Sequence, residues 1–225
     1  MTAERIAAIT VAAGSGVRLR AGVPKALVRV GGRPLVLWAV QALAMGGVTE
    51  VVVAAPTEHI ADFEAILAAA PVPCQVVAGG ATRGASVANA LTALNATPHP
   101  PTVVLVHDAA RPLVPPEVVA RVIAAVQDGA SVVVPVIPVV DTVRQLTPAG
   151  SAVVDRSSLR AVQTPQGFRR EVLTRAYAAA SAEATDDAML AERLGYAVKL
   201  VEGSPSSMKV TSPHDLVMIA AMLEV

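Results

Sequence analysis

One cysteine, Cys74, stands in a chain of 225 residues, which excludes an internal disulfide and a cysteine-based metal cluster. A reducing, cytoplasmic setting is the expectation that goes with it. Aromatics are almost as scarce: one Trp, two Tyr and two Phe. Hydrophobic residues still make up 53% of the chain, mostly Ala and Val, so the expected core is packed from small side chains and a disordered chain is excluded. Net charge is zero, which argues against a basic nucleic-acid-binding surface and leaves room for a locally positive pocket. No apolar run reaches the roughly 20 residues of a membrane span; the longest helical pattern, Pro34 to Met45, ends at Gly46-Gly47. Arg5 followed by small and apolar residues has the outline of a signal peptide, but Glu4 and the direct run into a Gly-rich loop favour a first core strand. Lysine is rare too. Of 18 basic residues only Lys25, Lys199 and Lys209 are lysines, so a retained ammonium marks a need for a compact charge.

Against these absences stands one dense segment, Ala12-Ala13-Gly14-Ser15-Gly16-Val17-Arg18-Leu19, followed by Pro24-Lys25. It follows directly on the strand pattern Ile6–Val11. A strand that empties into a Gly-rich loop with two cations suits phosphate, because glycine lets backbone N–H groups approach an anion. The loop is neither a Walker loop, whose Gly-Lys-Ser/Thr is absent, nor a dinucleotide fingerprint, since Leu19 takes the third-glycine position.

Strands and helices alternate through the first half. Val51–Ala54, Gln75–Ala78, Val103–Val106 and Ser131–Val136 read as strands. Helices are expected from Pro34 to Met45, from an N-cap at Thr57 to about Ala69, over Ser86–Leu94, and from Pro115 to about Asp128. Nearly all-apolar strands joined by helices predict an α/β fold, a mostly parallel sheet covered on both faces, with ligands at the carboxyl ends of strands. The loops at 13–25, 79–86 and 107–111 all fall there. The alternation then breaks: Val139–Gln145 and Ala152–Asp155 flank Thr147-Pro148-Ala149-Gly150 as a hairpin in a long excursion. Regular elements resume with a strand at Ala161–Gln163, a helix at Arg169–Ala180, a helix capped at Thr185-Asp186-Asp187, a strand at Ala197–Val201 and a capping box at Ser212–Asp215. One domain spanning 1–225, with 136–157 as a protruding arm, accounts for this order.

Two further constellations carry chemistry. Val106-His107-Asp108-Ala109-Ala110-Arg111-Pro112 places a carboxylate at a strand end, where Asp108 is either a turn residue or, beside a phosphate loop, a ligand for Mg²⁺. Arg111 suits a phosphate or Asp108 itself, and His107 suits a structural hydrogen bond. Ser207-Met208-Lys209-Val210-Thr211 supplies another lysine.

These segments, with Asp141-Thr142, Val154-Asp155-Arg156, Thr164-Pro165-Gln166 and Thr185-Asp186, occur in the order that resembles the 2-C-methyl-D-erythritol 4-phosphate cytidylyltransferase family over essentially the whole chain. The resemblance implies a Rossmann-like nucleotidyltransferase fold and transfer of CMP from CTP to methylerythritol phosphate, with pyrophosphate released, in the non-mevalonate isoprenoid pathway. It implies catalytic roles for Arg18, Lys25 and Lys209. CTP contacts would come from Ala12, Ala13, Gly14, Ser15, Gly16, Gly79, Gly80, Arg83, Ser86 and Ala109. Asp108 would hold Mg²⁺ or another divalent cation. Methylerythritol phosphate would meet Arg111, Thr142, Arg156, Thr164 and Thr185, and the arm would cross to a second copy, so that Thr142 and Arg156 act in trans in a homodimer. Ala26, where many relatives have Gln, and Ser206-Ser207, in place of an Asp-Asn-type pair, depart from the family pattern. Ribitol 5-phosphate is the rival acceptor, and a non-catalytic nucleotide-binding protein is the rival from another class.

Overall fold

The computed structural model describes residues 5–14, 19, 22–148, 150–180 and 186–224. Arg18, Ser15, Gly16 and Thr185 lie outside the described residues. The chain opens with β1 (Ile6–Val11), a short hairpin of β2 (Arg29–Val30) and β3 (Arg33–Pro34), and α1 (Leu35–Met45). β4 (Glu50–Ala55), α2 (Ile60–Leu67), β5 (Cys74–Ala78), α3 (Arg83–Asn95), β6 (Val103–Asp108), α4 (Pro116–Gln127) and β7 (Val132–Pro138) continue the alternation. An excursion follows, β8 (Val143–Thr147) and β9 (Gly150–Val154), before β10 (Arg160–Val162) and β11 (Gln166–Arg169). The chain finishes with α5 (Arg170–Ala178), α6 (Asp187–Glu192), β12 (Val198–Glu202) and α7 (Pro213–Leu223).

Eight of the described strands form one sheet. β5, β4, β1 and β6 run parallel in that spatial order, and β12 runs parallel to β7. Between β6 and β7 lies β11, antiparallel to both, and β10 prolongs it along β7 after a break at Gln163–Pro165. Side chains along each strand alternate between two cores, as the period of two requires. Ile6 and Ala8 of β1, with Val103 and Leu105 of β6, pack with α1, α2 and α4. Ala7 and Ile9, with Val104 and Val106, face α3, α5 and α6. Ala and Val at these positions let helices sit close on both faces, which is how a chain with two Phe fills its interior. A third cluster of Leu19, Val30, Leu35, Val210 and Ile219 fastens α7 and the 208–211 segment to the rest.

Several expectations shift. Thr57 does not cap a helix: a 3-10 turn spans Thr57–His59 and α2 begins at Ile60 without a side-chain cap. α3 begins at Arg83 rather than Ser86 because the Thr82 hydroxyl accepts the Ala85 N–H. β11 was not expected. Its four residues, Gln-Gly-Phe-Arg, carry no periodicity, and Gly167 is demanded by packing, since a Cβ there would stand 2.5 Å from Val122 of α4. The hairpin at 143–154 and the capping box at Ser212–Asp215 form as expected.

Candidate active site

The loops that leave β1, β5 and β6 meet at the carboxyl edge of the sheet around a cavity of about 440 Å³. Ala12, Ala13 and Gly14 line it from β1, Gly80, Thr82, Arg83 and Ser86 from the β5–α3 connection, and Asp108 to Ala110 from β6. Lys25, Ala26 and Lys209 complete the wall. Gly79 sits immediately behind: a Cβ there would meet that of Ala13 at 2.5 Å, so glycine alone lets the two loops touch. The Ser86 hydroxyl accepts the Gly80 N–H at 3.0 Å and donates to the Thr82 carbonyl at 3.0 Å, folding the 80–86 turn into a fixed wall.

Charge is arranged around Asp108. Its Oδ2 lies 2.6 Å from Lys209 Nζ and its Oδ1 3.1 Å from Arg83 Nε. Burial alone would raise its pKa, but Arg83 and Lys209 outweigh burial and hold the carboxyl well below the usual range. Arg83 in turn reaches Asp187 at 2.8 Å. Burial opposes its charge, and the two carboxylates more than reverse that, so its pKa is raised. Lys25 Nζ donates to the Val210 carbonyl at 3.0 Å, while the Val210 N–H donates to Ala110 at 2.8 Å. The segment that carries Lys209 is thereby tied to both Lys25 and the end of β6. Its downstream side is clamped by Asp215 Oδ2, which accepts from the N–H and hydroxyl of Thr211 and from the Ser212 N–H. Those hydrogen bonds, first of all from the Thr211 N–H, hold the Asp215 pKa down at about 2.

Thr164 lies beneath Asp108 rather than in the cavity wall. Its hydroxyl accepts the Asp108 N–H at 3.1 Å and meets His107 Nδ1 at 3.1 Å. The hydroxyl therefore donates to Nδ1, and Nε2–H donates to the Arg111 carbonyl at 3.1 Å. Complete burial lowers the His107 pKa to about 4, so the ring is neutral at pH 7 and serves as a brace. Arg111 lies on the outer rim, where it donates to the carbonyls of Ser207 at 2.6 Å and Val162 at 3.4 Å. Thr142 and Arg156 are exposed in the arm; Arg156 donates to the Val140 carbonyl. These two are not brought to the cavity of their own chain.

Residues that the sequence reading passed over do structural service here. Gln163 is buried, with its amide bonded to both the N–H and carbonyl of Ser204 at 3.0 and 2.7 Å. Asp187, read only as part of a cap, is buried below Arg83. The signal was present: a second acid after Asp186 begins the apolar run Ala-Met-Leu-Ala, whose first turn faces the core.

The donor set suits a divalent cation held between protein and nucleotide. Asp108 opens on the cavity, and Mg²⁺ prefers one or two carboxylates completed by substrate oxygens. Among the described residues no group of three or more His, Cys, Asp or Glu could hold a metal on its own, so such a cation would be shared with bound phosphate.

Comparisons with known proteins agree with one another on the family. The family IspD, 2-C-methyl-D-erythritol 4-phosphate cytidylyltransferase, matches residues 6–225. The 2-C-methyl-D-erythritol 4-phosphate cytidylyltransferase of Saccharopolyspora erythraea is 51% identical over 221 residues, covering 97% of this chain and 99% of the relative. That of Streptomyces coelicolor is 47% identical, covering 97% and 85%. The crystal structure of the enzyme of that name from Thermus thermophilus superposes with a TM-score of 0.78 at 40% identity, over 97% of this chain and 98% of that one. The 4-diphosphocytidyl-2C-methyl-D-erythritol synthase of Anaerococcus prevotii gives 0.84 at 26% identity, over 99% and 97%. With a cavity of about 440 Å³ at the carboxyl edge of a largely parallel sheet, and relatives matched from end to end, the chain belongs to the 2-C-methyl-D-erythritol 4-phosphate cytidylyltransferase family of nucleotidyltransferases.

Proposed function

We propose that the cavity bounded by Lys25, Arg83, Asp108 and Lys209 is where CTP and 2-C-methyl-D-erythritol 4-phosphate are joined, with release of pyrophosphate, as a step of isoprenoid biosynthesis. The observation that carries the reading is a carboxylate and three cations converging at the end of a Gly-rich strand loop. The nucleophile is a phosphate monoester oxygen attacking the α-phosphorus of CTP. A phosphate monoester has a second pKa of about 6 and is largely dianionic at pH 7, so no general base is required. Neutral, buried His107 agrees with that economy. The barrier is electrostatic, since a dianion must approach a triphosphate, and the protein has to provide positive charge and in-line alignment.

Lys25 and Lys209 would neutralise phosphate oxygens, with Arg18 alongside them. Lys209 would exchange Asp108 for the triphosphate, a move open to it because its side chain is 42% exposed. Asp108 would hold Mg²⁺ or another divalent cation together with the triphosphate; when bound, that cation offsets charge on the phosphates. The backbone of Ala12, Ala13, Gly14 and Ala109 would cradle the nucleotide, and the 79–86 turn, with Arg83 and Ser86, would face cytidine. Arg111 would meet the acceptor phosphate, Thr164 would hold the floor of the site, and Thr185 would belong to the acceptor side. Thr142 and Arg156 would come from a second copy in a homodimer. No described helix is long and apolar enough to cross a membrane, and a cytoplasmic enzyme working without nucleic-acid or membrane partners is the reading we adopt.

The test is pyrophosphate release from CTP and Mg²⁺ with methylerythritol phosphate against ribitol 5-phosphate. Release with the former alone is expected. Release with ribitol 5-phosphate alone would overturn the acceptor, and CTP binding without release under either would leave only a nucleotide-binding protein.

A further inference from the structure

Beneath the cavity lies a run of ionic contacts whose far end touches no expected substrate position. Arg83, at the first turn of α3, places Nε 3.1 Å from Asp108 Oδ1 and Nη2 2.8 Å from Asp187 Oδ2. Asp187 belongs to the first turn of α6, and its side chain is 1% exposed. The Tyr177 hydroxyl, from α5, donates to its Oδ1 at 2.5 Å. Burial and the neighbouring Asp187 both raise the Tyr177 pKa, so this hydroxyl stays a donor. Neither Asp187 nor Tyr177 is among the described residues that line the cavity.

A carboxylate buried this deeply is costly unless paired, and here the pairing with Arg83 is an ion pair at 2.8 Å that lacks the alignment of a hydrogen bond, so that Tyr177 carries the hydrogen bond to Asp187. A guanidinium is planar and rigid, so a charge pair at its Nη2 restrains the Nε that meets Asp108. The post on which Arg83 is fixed is itself immobilised. The N–H of Ala188, next to Asp187, donates to both Gln166 Oε1 at 3.1 Å and Asp186 Oδ1 at 2.9 Å, which anchors the start of α6 to the start of β11. Asp108 has two cations on its oxygens, and only one of them is held from behind. Arg83 is gripped by a buried acid; Lys209 comes from the exposed side.

We propose that Asp187, held by Tyr177, is a positioning residue for the transfer reaction. By pairing with Nη2 of Arg83 it keeps Nε on Asp108, so that Asp108 holds its orientation when Lys209 leaves for a bound triphosphate. The inference rests on the reading of the Asp108–Lys209 rim as the transfer site. It also gives Arg83 a second duty beside any contact with cytidine. The acid divides the charge of Arg83 between two carboxylates, so Asp108 is steadied without being fully neutralised.

The test begins with pyrophosphate release by the unaltered protein; silence there overturns the reading of the site itself. The link is then read without substrate, from the arginine Nε–H resonances of the free protein, with Arg83→Lys identifying the Arg83 signal by its loss. Asp187→Asn keeps the shape of the side chain and removes its charge. It is expected to expose the Arg83 Nε–H to exchange and to lower kcat roughly 10–100-fold, the usual scale for a group that orients a ligand of the reacting centre. KM for CTP should stay within about threefold, because the contacts that merely bind nucleotide are intact. Tyr177→Phe is the milder variant, expected to lower kcat in the same sense by about threefold, with a lower melting temperature because a buried carboxylate oxygen loses its donor. Combining Asp187→Asn with Arg83→Lys should cost no more than the worse single change, because both break one link. An Nε–H signal as protected in Asp187→Asn as in the unaltered protein, kcat unchanged in both Asp187→Asn and Tyr177→Phe, or losses that multiply in the double variant, would each overturn the inference.

Discussion

The rim of the cavity and the arm at 139–159 both carry arginine and aspartate, and they use them in opposite ways. On the rim, each charged side chain is tied to residues far away in sequence. Lys209 meets Asp108, Lys25 meets Val210, Arg83 bridges Asp108 and Asp187, and Arg111 meets Ser207. In the arm the polar bonds stay inside the arm: Arg144 to Ser151, Ser157 to Asp155, and Arg156 to Val140. Three of its large apolar side chains stand open to solvent. Leu146 is 85% exposed, Val140 77% and Val153 61%. The rim is finished by its own chain and is preorganised for charge. The arm is a hairpin of two short strands, an element with marginal stability on its own, and its exposed apolar face suits a second copy.

Changes on either side of this division should have different signatures. The largest effect is expected at the rim: Lys25→Ala should lower kcat roughly 10²–10³-fold, the scale for removing one preorganised stabiliser of developing charge. Steady-state pyrophosphate release measures it, and an unchanged kcat in a folded variant removes Lys25 from the mechanism. Arg156→Ala should leave KM for CTP within about threefold and raise KM for methylerythritol phosphate roughly tenfold or more. Equal effects on both substrates would break the division of labour between rim and arm. Mixing the Lys25→Ala and Arg156→Ala proteins sharpens the point. If Arg156 acts in trans, mixed dimers rebuild one intact site, and roughly a quarter of full activity should return; no recovery after subunit exchange would place both residues in one chain's site.

Leu146→Asp addresses the arm alone. The unaltered protein is expected to sediment as a dimer and this variant as a monomer, with the melting temperature of the α/β body little changed. A monomeric unaltered protein would deprive Arg156 of its role in trans. A last effect, on stability rather than on activity, belongs to His107. Its folded pKa of about 4 lies below the ordinary 6.5, so the unfolded chain binds the extra proton first. Stability from this group is therefore complete above about pH 6.5 and declines as pH falls toward 4. Thermal melts across that window should show the decline, and His107→Gln should flatten it; an equally steep decline in the variant would assign it to other groups.

How much of this was legible beforehand follows the same division. Apolar strands alternate side to side between two helical layers, and that pattern is written in the local sequence; so are the Ser212–Asp215 box and the Gly-rich loop. Asp108 and Lys209 could be named because strand ends and rare lysines are visible from sequence. β11 was not legible, since Gln-Gly-Phe-Arg owes its strand conformation to β6 and β7 on either side rather than to its own propensity. Asp187 looked like a capping acid because its distinction is depth, and depth depends on which helix packs above it. Thr164 illustrates the same limit: the motif drew attention to it, and the fold sets its hydroxyl to brace Asp108 and His107.

Pro138 faces Arg160 on the last rung between β7 and β10, so the arm leaves the sheet and rejoins it at a single gate. An insertion rooted this way cannot shift the register of the strands that carry it. Residues can be gained, lost or exchanged anywhere between those two positions while every pairing behind them stays in place. The rim and the arm are thus structurally separable parts of one chain. Changes within the arm leave the buried charges at the rim where they are.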